Sequence, residues 1–164
     1  MRSILVFLAG WLCASSVQAA NGVTAGGVVL LQPEPVIQAR VTADKLAPYL
    51  KQVDTAATHA LKAAASVPAS GGFVVVAIRP GEQSAFWLDF TPPLPQALAN
   101  DLIAGAKAVR VPMVKGTVVV AMKYGVAGGT APSQPMPAPK EWSAAAKAAG
   151  KPLEIGDLVE RIWK

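Results

Sequence analysis

Between Ala47 and Tyr124 the hydrophobic and polar positions fall into distinct periods. Leu46, Leu50, Val53, Ala57, Leu61 and Ala64 recur at steps of three and four, while Lys51, Asp54, Thr55, Thr58, His59 and Lys62 take the opposite side. That spacing predicts an amphipathic helix over about 47–65, with Pro48 near its front, where a missing N–H costs least. Phe73 to Ile78 is apolar at every position, Arg79 to Gln83 interrupts it, and Ser84 to Phe90 alternates, so the stretch reads as a β-hairpin. Its first strand is apolar on both faces and belongs inside a sheet. The second puts Phe86, Leu88 and Phe90 on one face and Ala85, Trp87 and Asp89 on the other. After Thr91-Pro92-Pro93, a second helical stripe of Leu94, Leu98, Leu102, Ile103, Ala106 and Val109 runs into Arg110-Val111-Pro112. Thr117 to Tyr124 predicts a third strand, with Val118, Val120, Met122 and Tyr124 on one face and Thr117, Val119, Ala121 and Lys123 on the other.

These elements predict an α+β, two-layer domain over 47–125: a three-stranded antiparallel sheet in the order second-first-third, with two helices on one face. Residues 21–46 form an N-terminal extended segment in which two apolar runs, Gly27 to Leu31 and Val36 to Val41, flank Gln32-Pro33-Glu34-Pro35. The two prolines argue for an extended lead-in or an accessory hairpin rather than a helix, and leave Val36 to Val41 free to add to the third strand. Residues 126–140 have the Gly- and Pro-rich composition of a linker outside the core. Residues 141–164 make a helical tail: Glu141 to Ala149 ends at Gly150, and Ile155, Leu158, Val159 and Ile162 mark the apolar side of a last short helix. Pieces this short need something to dock on.

Residues 1–20 stand apart. Met1-Arg2-Ser3, the apolar run Ile4 to Cys13 and Val17-Gln18-Ala19 match the basic, apolar and cleavage regions of a secretory signal peptide, cut after Ala19 or Ala20. Export to the periplasm or beyond the cell is expected, with no stable membrane insertion after cleavage. Cys13, the only cysteine, lies in this leader, so no disulfide, thiolate nucleophile or cysteine-metal site is expected in the mature chain. The net charge of +5 is scattered rather than clustered, which argues against a nucleic-acid partner.

Candidate chemistry is sparse. His59, the only histidine, lies on the polar side of the first helix with no second ligand or orienting acid marked by the pattern, and no metal or other cofactor is expected. Asp89 and Asp101 are conceivable paired carboxylates that no spacing brings together. Ser66, Ser70, Ser84, Ser133 and Ser143 lack a nucleophile-elbow context, and Gly125 to Gly129 lacks the lysine and helix of a phosphate loop.

The order helix, strand, turn, strand, helix, strand, together with Gly72-Phe73-Val74-Val75-Val76, the Arg79-Pro80-Gly81-Glu82 turn, Arg110-Val111-Pro112 and Gly116 before a valine-rich strand, resembles the C-terminal domain of the TonB and TolA family of envelope energy transducers. The resemblance implies that envelope protein or peptide segments are captured by edge-strand pairing. A transducer carries an uncleaved anchor and a long spacer ahead of this domain, and this chain has neither pattern, so it implies a detached binding module rather than an enzyme. The third strand would supply the edge, through Val118, Val119, Val120, Ala121, Met122 and Lys123. Trp87 is a candidate anchor, or is covered by Trp142 and Trp163 of the tail. Two other functions compete: a secreted enzyme or enzyme accessory with an acidic cleft, and a structural subunit of an envelope complex docked by its C-terminal tail.

Overall fold

The computed structural model describes residues 22–163. The expected leader lies outside them. Among the described residues no helix is long and apolar enough to cross a membrane.

The sheet is antiparallel, as expected, but has four strands. They are β1 (Val23–Leu30), β2 (Ser70–Arg79), β3 (Gln83–Thr91) and β4 (Val118–Val126), in the order β1-β4-β2-β3. The extra strand comes from the N-terminal segment. Val23 pairs with Val126 and Leu30 with Val120, and the register slips at Gly26 and Gly27, where Gly27 has φ of 93°. Glycine takes that backbone without the Cβ penalty, so the bulge sits where the sequence has no side chain to resist it.

The other N-terminal expectation also fails. Val36 to Val41 does not form a strand, because Glu34–Arg40 is a helix, α1, that buries Ile37. Pro35 lies in the first turn, where helix N–H groups have no internal partner, so it starts a helix instead of preventing one. Between the two elements, Gln32 continues the ladder with its side chain. Its Oε1 accepts from the Val119 N–H at 3.0 Å and its Nε2 donates to the Thr117 carbonyl at 3.2 Å.

The first long helix, α2 (Ala43–Ala63), starts four residues before the sequence pattern placed it and buries the expected stripe from Leu46 to Leu61 plus Tyr49, with Ala64 just past its end and half-buried. Pro48 therefore lies in the helix interior, where the carbonyl it cannot pair belongs to exposed Asp44. Helix α3 (Gln96–Lys107) buries Leu98, Leu102 and Ala106. Together α1, α2 and α3 cover the sheet face that carries Val74, Val76, Phe86, Phe90, Val118, Val120, Met122 and Tyr124.

The opposite face is covered too, which makes three layers instead of two. Helices α4 (Lys140–Ala149) and α5 (Ile155–Ile162) press Trp142, Leu158 and Val159 onto Phe73, Val75, Ala77, Val119 and Ala121. A sheet whose central strands are apolar on both sides demands this second cover. The tail thus docks on its own chain through its apolar side. Polar contacts hold one end of it: Glu160 accepts from the Thr117 hydroxyl and pairs with Arg79 at 3.2 Å, and the Arg79 guanidinium lies 4.2 Å from the centre of the Trp163 ring. The Arg40 guanidinium donates to the carbonyl of the same Thr117.

The Gly/Pro-rich stretch between β4 and α4 is a strap laid on the sheet. Its path crosses Gly26, Gly71 and Gly125 on three strands; a Cβ on Gly71 would overlap the Thr130 carbonyl, one on Gly125 the Gly129 carbonyl, and one on Gly26 would lie 2.7 Å from the Ala131 Cβ. Asp89 then accepts the Ala138 N–H at 2.7 Å, and Pro137 and Pro139 are buried. Linker composition conceals a packing role here, because the small residues are what permit backbone to lie on backbone.

The chain has two tyrosines, Tyr49 on α2 and Tyr124 on β4, both buried between that helix and the sheet. Burial pushes the Tyr49 hydroxyl up to about 12, partly offset by Ser84. Burial raises Tyr124 further, and Asp54, whose carboxylate accepts its hydrogen bond at 2.6 Å, adds to the rise. A phenol whose folded value lies above its unfolded value contributes its full stability below about pH 10 and loses it as pH climbs through the folded value. Absorbance titration at 295 nm is therefore expected to show neither tyrosine ionising near pH 10 in the native protein and both doing so in urea, with stability falling steadily from pH 10 to 12. A tyrosine that titrates near 10 in the native state contradicts the packing between α2 and the sheet.

Candidate functional site

The edge predicted for partner capture is not an edge. Strand β4 lies between β1 and β2, so the backbone of Val118, Val119, Val120, Ala121, Met122 and Lys123 faces neighbours of the same chain on both sides. Their side chains are equally committed. Val118, Val120 and Met122 sit under the α1–α3 layer and Val119 and Ala121 under α4 and α5, while half-exposed Lys123 reaches 5.6 Å from the centre of the Phe73 ring. Counting three strands made β4 terminal; counting β1 moves the boundary outward by one.

Trp87 meets the tail, as the covered alternative required. Its ring stands edge-on to Trp142, 5.8 Å between centres at 71°, and is half-buried. Trp163 packs against the same apolar cluster and also carries Arg79 on its ring.

The true outer strands are β1 and β3, and they differ. β1 is largely exposed. β3 lies at the bottom of a groove: two adjoining cavities of about 650 and 310 Å³ share Phe86, Trp87 and Glu141, and between them are lined by every residue from Ala85 to Phe90. Successive residues of a strand point to opposite faces, so a cavity that touches all of them runs along the strand's edge rather than over one face. One wall is α3 and the segment before it, with Leu94, Ala99 and Ile103. The other is α4, with Ala144, Ala145 and Ala148, whose small side chains leave the larger cavity open beside Trp87. Lys107, Arg161, Lys140 and Glu141 add charge along the walls.

The residues of the enzyme alternative converge only in part. His59 and Asp101 line a third cavity, about 1240 Å³, between the outer sides of α2 and α3, and no hydrogen bond or ion pair joins them among the described residues. Asp89 lies elsewhere, holding the strap. Ser70, one of the candidate hydroxyls, is buried and donates to the Pro92 carbonyl at 2.6 Å. No group of three or more metal-ligating side chains occurs among the described residues.

The β3 groove was invisible in the sequence because its walls come from segments about 10 and 55 residues beyond the strand. Only the alanine-rich outer side of α4 hinted that something had to fit against it. Comparison with family models, with curated proteins and with solved structures returns no match.

Proposed function

We propose that the chain is an exported binding module that captures extended protein or peptide segments by pairing them with β3, in the manner of the TonB and TolA C-terminal domains that its element order resembles. The observation that carries this reading is the groove along the outer edge of β3. An edge strand offers a row of backbone N–H and C=O groups, and a segment laid against it completes the ladder whatever its sequence. Selectivity then comes from alternate side chains. Those on one face meet the apolar α3 wall at Leu94, Ala99 and Ile103, and those on the other enter the space between Trp87 and the α4 alanines. The leader pattern supports placing this activity outside the cytoplasm.

The test is a displayed library of ten-residue peptides screened for binders, followed by calorimetry on the strongest. Ala144→Trp fills the cavity beside Trp87 from an exposed helix position and is expected to weaken binding at least tenfold. Val28→Lys on the opposite edge of the sheet is expected to leave it unchanged. Peptides that bind Ala144→Trp as well as the parent protein overturn the reading.

A further inference from the structure

We propose that the other outer strand, β1, is a homodimer interface, and that a second copy of the chain pairs with it antiparallel about a two-fold axis through Val29. The observation is independent of the peptide groove. Outer strands of stable monomers are blunted by charges, prolines or bulges; β1, Val-Thr-Ala-Gly-Gly-Val-Val-Leu, has no charge or proline, and its bulge at Gly26 and Gly27 leaves Val28 to Leu30 as regular, unprotected edge. Val28 and Leu30 are instead 51% and 46% exposed, on the face shared with Met122 and Val120, where a cavity of about 380 Å³ lies between Val28 and Leu50 and Lys51 of α2.

Hydrogen-bond direction fixes the register. The Leu31 N–H points inward to the Val119 carbonyl at 3.3 Å, and backbone groups alternate along an antiparallel strand, so Val29 also bonds inward while Val28 and Leu30 present N–H and C=O outward. An axis through Val29 sets Val28 opposite Leu30 of the second copy and Leu30 opposite its Val28. Both outward pairs then exchange two hydrogen bonds each, and each brings the exposed apolar side chains of the two copies together. The Gly26–Gly27 bulge ends the match on one side and Gln32, turned inward to β4, on the other. A strand with no charge has nothing with which to select a charged partner, whereas its short apolar pattern is complementary to itself. The product is a continuous eight-stranded sheet with a β3 edge at each end, about 34 Å apart at the usual strand spacing.

Sedimentation velocity across a concentration series, together with directed crosslinking, tests this. The protein is expected to sediment as a dimer at tens of micromolar, and Leu30→Lys to shift it to monomer that still unfolds cooperatively, with the parent's midpoint rising with concentration and the variant's not. In a Cys13→Ser background, Val29→Cys faces itself across the axis and is expected to form a disulfide-linked dimer under mild oxidation at least tenfold faster than Thr24→Cys. A protein that stays monomeric at several hundred micromolar overturns the proposal, and so does a dimer that survives Leu30→Lys, or equal crosslinking at positions 24 and 29. An unrelated extended peptide that occupies β1 in preference to the second copy overturns it as well. Loss of peptide binding at β3 leaves these readouts unchanged, so the two proposals fail separately.

Discussion

Replacing Gly71 with alanine is expected to cost the fold about 3 kcal/mol, the upper part of the range for overpacking a tight site. The added Cβ would overlap the Thr130 carbonyl oxygen, which is backbone and has no rotamer to escape into. Relief requires lifting the strap off the sheet, and the strap is held at both ends, by the β4 turn and by the Asp89 contact to Ala138. Gly125→Ala meets the Gly129 carbonyl in the same trough and should behave alike. Gly128→Ala is the informative control: nothing lies near its Cβ, and only its φ of 84° resists, so a loss of about 1 kcal/mol is expected. Urea denaturation of the three variants separates overlap from backbone conformation. Equal losses at all three positions would mean that the strap does not lie in the glycine trough.

Trp142→Ala is expected to cost about 4 kcal/mol, in the range for truncating a buried tryptophan. Trp142 is 4% exposed and sits between Trp87 and the apolar lower face of β2 and β4. Trp142→Phe should cost far less, about 1 kcal/mol, because it keeps most of the apolar contact and removes an indole N–H with no hydrogen-bond partner among the described residues. Removing residues 140–164 altogether uncovers Phe73, Val75, Ala77, Val119 and Ala121, and the truncated chain is expected to be insoluble or to bind a hydrophobic dye. A soluble, cooperatively folding truncation would show that the tail is an appendage and the domain a two-layer unit.

Elements with a strong local period were legible. The alternation in 118–124 assigned each side chain of β4 to its face, and the stripe in 47–65 identified the buried side of α2. What failed depended on position or on distant partners. Pro33 and Pro35 look like helix breakers in composition, yet at a helix start they fit, so α1 was mistaken for extended chain. Thr24, Gly26 and Gly27 blur the apolar pattern of β1, which is the strand that decides whether β4 is inside or outside. The strap was taken for a linker because its receptor is three glycines on three strands, a juxtaposition with no local signature. The apolar residues on both faces of the central strands require two covering layers, where the sequence reading counted helices on one face only. The tail was the only helical segment left to supply the second.

The groove at β3 stands or falls with the interior position of β4, and amide hydrogen exchange reads both in one experiment. In the free protein, residues 118–126 should exchange as slowly as β2, and on binding an extended peptide the added protection, tenfold or more, should fall within residues 85–90. Fast exchange along 118–123 in the free protein, or protection gained there on binding, would contradict the account.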